Sequence, residues 1–210
     1  MGTITALRMG KSKKRVNVFI DGSSSLVIDG ETAIKAGLQV GQHLSAEQVE
    51  EIMQADLQRK CFEAALHYLS YRPRSELEVR QRLSQRGFSN GVVGDVIIEL
   101  KQRKLVDDVA FAEYWKDNRL SFRPRSRGLI KHELMQKGID TETANEAIEG
   151  LNDENSAYEV GLKKVRVIAN TDYNGFHRYL SGYLRRRGYN YEVINPVVIR
   201  LWQEQQAASV

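Results

Sequence analysis

The chain has 210 residues, 41% hydrophobic and 28% charged, with a formal net charge of +4 and a pI near 9.1. It has no apolar run long enough to span a bilayer, no signal-peptide h-region, and a single cysteine, Cys61. This excludes a membrane span and an intramolecular disulfide, predicts a cytoplasmic protein with several small cores, and permits a nucleic-acid partner without requiring one.

In chain order, residues 1–14 read as a polar, basic tail. Lys11, Lys13, Lys14 and Arg15 within and beside it are either a solvated run or phosphate contacts. Val16–Ile20 and Leu26–Ile28 predict two short strands, joined through the turn chemistry of Asp21-Gly22-Ser23. One or two helical turns follow over 30–37, closed by Gly37. Ser45 opens a helix, with Gln48 three residues on completing a capping box. A two-stranded hairpin is marginal alone, so it must pack on this helix, which runs through Val49, Ile52 and Met53.

From about residue 57 the chain repeats itself. Tyr71–Phe88, YRPRSELEVRQRLSQRGF, returns at Phe122–Ile139 as FRPRSRGLIKHELMQKGI, an offset of 51 that also maps Leu100 onto Leu151. A blurred third copy carries Leu184, Gly188 and Leu201 at an offset of 50 from Leu134, Gly138 and Leu151. Each copy predicts three helices. The proline of Arg-Pro-Arg-Ser disfavours helix in the residue before it, and Ser75 or Ser126 caps the second helix. Gly87, Gly138 and Gly188 close that helix, each followed by a large apolar residue that folds back on it. Ser89, Asp140 and Asn190 cap a third helix, whose apolar positions fall at helical spacing. In the third copy Pro196 falls inside that helix: either Asn195 caps a late start or the helix kinks.

The fold expected is therefore mainly α, with three tandem three-helix repeats in an elongated curved array behind a small N-terminal β-hairpin plus helix. The segments are 1–56 for tail, hairpin and helix, then 57–106, 107–152 and 153–210 for the repeats. The first helices are expected near 57–71, 108–121 and 154–169, with a polar tail after about 205.

Chemistry is sparse. His43, His67, His132 and His177 show no ligand spacing with each other or with Cys61. Cys61 lies among Phe62, Ala65 and Leu66 as a buried thiol, and Asp107-Asp108 reads as a helix cap and first-turn acid. Trp115 and Trp202 read as core anchors. No catalytic residue, metal site or cofactor is assigned.

The cations carry more information. Arg72, Arg74, Arg80, Arg82 and Arg86 gather in the first copy, Arg119, Arg123, Arg125, Arg127, Lys131 and Lys137 in the second, and Arg178, Arg185, Arg186 and Arg187 in the third. All lie on the second helices or the turns leading into them, which predicts an anion-facing surface. A helix-turn-helix reading fails on the third helices. Glu142, Glu146 and Glu149 mark that of the second copy and no basic residue does, so it does not suit a groove lined by phosphates.

Three stretches also carry a resemblance. Ala65-Leu66-x-Tyr68-Leu69-x-x-Arg72-x-Arg74-Ser75-Glu76-x-Glu78, Leu105-Val106-Asp107-Asp108-x-Ala110-Phe111-Ala112 and Glu133-Leu134-x-x-Lys137-Gly138-Ile139 are similar to the RecX family, small bacterial regulators of the RecA recombinase. The resemblance spans nearly the whole chain and departs from the family mainly in the third repeat, at Pro196 and at Thr171-Asp172-Tyr173-Asn174. It implies a monomeric, non-catalytic cytoplasmic protein that binds the RecA filament, inhibits its recombinase, ATPase and coprotease activities, and damps DNA repair and the SOS response. Contact with single-stranded or duplex DNA is a further implication. The competing reading is a DNA-binding helical repeat protein acting as repressor or architectural factor, which would need only duplex.

Overall fold

A computed structural model describes residues 2–10, 14–165, 168 and 172–207. Its elements are β1 (Gly2–Met9), β2 (Arg15–Ile20), β3 (Ser23–Asp29), α1 (Gly30–Lys35), β4 (His43–Leu44), α2 (Ala46–Leu69), α3 (Glu76–Gln85), α4 (Asn90–Gln102), α5 (Asp108–Phe122), α6 (Arg127–Gln136), α7 (Thr141–Ala147), α8 (Asp153–Val165), α9 (Tyr173–Arg185) and α10 (Tyr191–Ala207). They fall into two compact units, one of residues 1–73 and 79–106, the other of Arg74–Glu78 and everything from Asp107.

In the first unit the hairpin expected between β2 and β3 is present. Asp21 and Gly22 both take positive φ, 49° and 82°, the conformation a two-residue turn needs to match strand twist. The hairpin is half of a four-stranded antiparallel sheet ordered β3-β2-β1-β4. Residues 2–9, expected as tail, form β1. A register shift between Ile4 and Ala6 breaks the period-two alternation of this strand. Ile4 and Leu7 consequently both pack on the core, three residues apart. Lys11 and Lys13 lie outside the described residues. Arg15 is structural, donating to the Val27 carbonyl and lying 3.6 Å from the buried Asp56 carboxylate.

Ser45 and Gln48 form the expected capping box, and α2 then runs unbroken through residue 56 into the first helix of the first repeat. Asp56 anchors the sheet to it: its carboxylate accepts from the Asp29 amide at 2.6 Å and from Lys60 at 2.7 Å. Cys61 is fully buried beside Phe62, Ala65, Val79 and Leu83, and that burial pushes its thiol up to about 11.

All three second helices end alike. The amides of Phe88, Ile139 and Tyr189 return to the carbonyls of Leu83, Leu134 and Leu184, and those of Gly87, Gly138 and Gly188 to Ser84, Met135 and Arg185. This is the Schellman arrangement, with glycine φ near +88°, +82° and +89°. Asp140 caps α7 and Asn190 caps α10; Ser89 holds the cap position of α4 without a side-chain bond. Each repeat has its own core, centred on Val79, Leu83 and Ile97, on Phe111, Ile130 and Leu134, and on Phe176, Leu180 and Val198.

Pro196 lies within α10. Asn190, not Asn195, starts the helix. An interior proline costs about 3 kcal/mol, but Val197, Val198 and Leu201 are buried just beyond it, at roughly 1.5–3 kcal/mol each. Packing outweighs the lost bond. In the same unit Asp172 caps α9, accepting from the Gly175 amide, while Thr171 lies outside the described residues. The chain remains helical to Ala207, past the expected start of the polar tail.

A candidate anion-binding surface

Within the second unit, the Arg-Pro-Arg-Ser turn before α6 sets the site. Pro124 disfavours helical conformation in the residue before it, and Arg123 leaves α5 at φ −143° and ψ 71°. Ser126 then caps α6 by accepting from the Leu129 amide at 3.2 Å. The Ser126 amide donates to the carbonyl of Arg187 at 3.0 Å, so the turn of the second repeat is tied to the end of α9 in the third. The Arg127 amide donates to Asp153 at 2.7 Å, as the Glu76 amide does to Asp108 at 2.8 Å. The second carboxylate of Asp107-Asp108 thus caps another helix, while Asp107 caps α5 by accepting from the Ala110 amide.

These ties gather cations. Burial, and then the charges of Arg119, Arg123 and Arg187, lower the pKa of the Arg125 guanidinium. The carboxylate set among them is Glu133, buried on α6. It accepts from Trp115 Nε1 at 2.8 Å, from Arg119 Nε at 2.6 Å and from Arg125 Nη1. The Trp115 ring has Arg119 at 4.1 Å and Lys137 at 4.2 Å from its centroid, close enough for cation–π attraction. Lys137 in turn donates to Glu78 at 2.6 Å. Trp115 is therefore a half-buried bracket between cations as well as a packing residue against Phe111.

The predicted cations divide by role. Arg119 and Arg125 are committed to Glu133 inside the fold. Arg187 is half-buried with its guanidinium 3.8 Å from the centre of the Tyr183 ring. Arg123, Arg127, Arg178, Arg185 and Arg186 are exposed on the second unit, and Lys131 is half-buried there. Arg74 belongs to that unit as well. Arg72, Arg80 and Arg82 lie in the first unit, where Arg72 Nη1 donates to the Pro73 carbonyl and Arg82 sits 5.7 Å from the Tyr68 ring centre.

Glu133, the hub of this network, is not among the residues expected from sequence. Its signal was a carboxylate on the apolar stripe of α6, three residues after Ile130 and beside Leu134, a position tolerated only when the charge is paired. The α7 surface carries Glu142 and Glu146, as its sequence indicated. The first unit holds a cleft of about 510 Å³ floored by Ile52 and Phe62, where Arg59 pairs with Glu31 and Arg103 with Glu99. Its charges compensate one another. Among the described residues, no helix is long and apolar enough to cross a membrane.

The chain as a whole is similar to proteins of a known family. A RecX N-terminal domain model matches residues 2–45, a model of the first RecX three-helix domain matches 61–100, and one of the second matches 107–148. Regulatory protein RecX of Clostridium perfringens strain SM101 is 30% identical over 207 residues, covering 96% of this chain and 97% of the relative. That of Listeria welshimeri is 27% identical over 201 residues, covering 94% and 75%. Among solved structures, a crystal structure of regulatory protein RecX superposes with a TM-score of 0.73 at 24% identity, over 94% of this chain and 98% of the other. RecX from Lactobacillus salivarius superposes at 0.61 with 25% identity, over 70% and 97%.

Proposed function

This chain belongs to the RecX family of regulatory proteins, and we propose that it regulates by binding the RecA nucleoprotein filament in the cytoplasm. There it inhibits the recombinase, ATPase and coprotease activities, and so damps DNA repair and the SOS response. The protein acts by occupancy and catalyses nothing itself. The observation that carries the reading is the cation cluster of the second unit. Arg119, Arg123 and Arg187 all press on Arg125, and Glu133 satisfies only the inner two arginines, Arg119 and Arg125. Arg123, Arg127, Arg185 and Arg186 stand exposed beside them, a surface suited to an anionic groove.

The test is the DNA-dependent ATPase of the cognate RecA on single-stranded DNA, with this protein titrated in. Inhibition supports the reading. An effect well below stoichiometry points to capped filament growth, and one near one-to-one to occupancy along the groove. No inhibition, together with tight binding to bare duplex, overturns it in favour of a repressor or architectural factor. The acidic face of α7 argues against that alternative, since Glu142 and Glu146 would meet phosphates.

A further inference from the structure

The residue before each Arg-Pro-Arg is aromatic, and the role of its ring is not explained by the fold. Tyr71 is 70% exposed and Phe122 is 79% exposed, each four residues before the serine that caps the next helix. One exposed ring is ordinary. Two at the same step of two repeats form a pattern, and the third repeat shows the alternative: Ile168, four residues before its cap Asp172, is 6% exposed and packs in the core.

The sequences around the two rings match in charge. Neither 67–75 nor 118–126 contains an acidic residue, while Arg72 and Arg74 flank the first ring and Arg119, Arg123 and Arg125 the second. Tyr71 is also held in place: the His67 ring lies edge-on at 5.3 Å and 79°, and the Tyr71 hydroxyl is 3.3 Å from His67 Nε2. Arg119 and Arg125 are paired with Glu133, so Arg123 is the cation left exposed beside Phe122. An exposed ring next to a cation suits a partner that alternates negative charge with flat apolar faces.

We propose that Tyr71 and Phe122 are base-stacking platforms for single-stranded DNA, with Arg72 beside the first ring and the exposed Arg123 beside the second on its phosphates. Aromatic rings beside a cationic groove hold single strands without reading sequence, because every base has a π-face. A duplex keeps its bases stacked on one another and gains little from such a ring. This inference rests on the filament reading and deepens it by naming the side chains that would hold the strand and the stacking by which they do so, and it is tested without RecA, so its failure is separable from failure of that reading.

The full-length protein is titrated against fluorescein-labelled oligothymidylate and against an abasic strand of equal length, by anisotropy. Wild type should prefer the strand with bases by about tenfold per engaged ring. Tyr71→Ala/Phe122→Ala should lose that preference while keeping the wild-type salt slope, because the phosphate contacts remain. Tyr71→Phe/Phe122→Tyr should retain it. Unchanged far-UV circular dichroism and melting would show that the alanine variant folds, as expected for two exposed rings. Equal wild-type binding to both strands overturns the proposal, as does a preference that survives both alanines.

Discussion

Replacing Glu133 by glutamine tests the account of the second unit, because the substitution keeps the shape and removes the charge. Glutamine still offers one carbonyl, enough for Trp115 Nε1, but Arg119 and Arg125 then face each other with Arg187 nearby and no carboxylate between them. Hydrogen bonds to a charged group contribute roughly 1.5–3 kcal/mol each, and breaking a fully buried pair costs about 3–5 kcal/mol. Here the arginine side chains are 18% and 32% exposed, so water recovers part of that. The expected loss is about 2 kcal/mol, which lowers the melting temperature by roughly 4–8 °C for a chain of this length. Urea unfolding is followed by Trp115 emission in a Trp202→Phe background, so that the probe reports on the network itself. Adding Arg119→Gln to Glu133→Gln should cost less than the two single losses together, because the second substitution removes a cation already unpaired. A Glu133→Gln loss below about 0.5 kcal/mol, or additive single and double variants, would show that the network is surface decoration.

Other outcomes follow from single positions. Gly87 and Gly188 have nearly the same φ, but a Cβ on Gly87 meets nothing within 4 Å, whereas on Gly188 it lies 2.7 Å from both Leu129 Cβ and Ser126 Oγ. By chemical denaturation, Gly87→Ala should cost about 1 kcal/mol from the left-handed backbone, and Gly188→Ala a further ~1–3 kcal/mol from overpacking; equal losses would refute the close approach of the Gly188 turn to the start of α6. Lys104 takes φ +56° where a glycine would be unstrained, so Lys104→Gly should stabilise by about 0.5 kcal/mol in the same assay. Burial raises the Cys61 thiol from about 9 to about 11, so its contribution is complete below the lower value and is lost as pH rises through the higher. Stability should therefore fall across that window and fall less in Cys61→Ala. The native thiol should also resist an aromatic disulfide reagent at pH 8 until the chain unfolds; rapid native labelling would contradict its burial.

The repeat was legible because its punctuation is chemical. Proline after arginine, serine at the caps and glycine at the helix ends leave few conformations open, and Phe88, Ile139 and Tyr189 pack as that pattern requires. β1 was hidden because its bulge destroys the alternation by which strands are read. Pro196 left two outcomes open, since sequence shows the lost hydrogen bond but not the burial of Val197, Val198 and Leu201 that outweighs it. For the site, clustering of cations was visible and their division of labour was not. Arg123 and Arg125 are two residues apart and alike in sequence, yet one is exposed and the other is bound to a carboxylate eight residues away. That distinction arises from tertiary contact. Reversing Arg125 would therefore set a second carboxylate against Glu133 and damage the fold along with the surface.

The measurement that bears most directly on the central claim is binding of the wild-type protein and of Arg123→Glu/Arg127→Glu to RecA filaments preassembled on single-stranded DNA. Bare single strand and bare duplex serve as competitors at matched salt. Both substituted side chains are exposed, so the variant should fold like the wild type. Wild type should bind the filament in preference to either bare DNA, and the double reversal should weaken filament binding by about tenfold or more. Equal affinity for bare duplex, or filament binding untouched by the reversal, would contradict that claim.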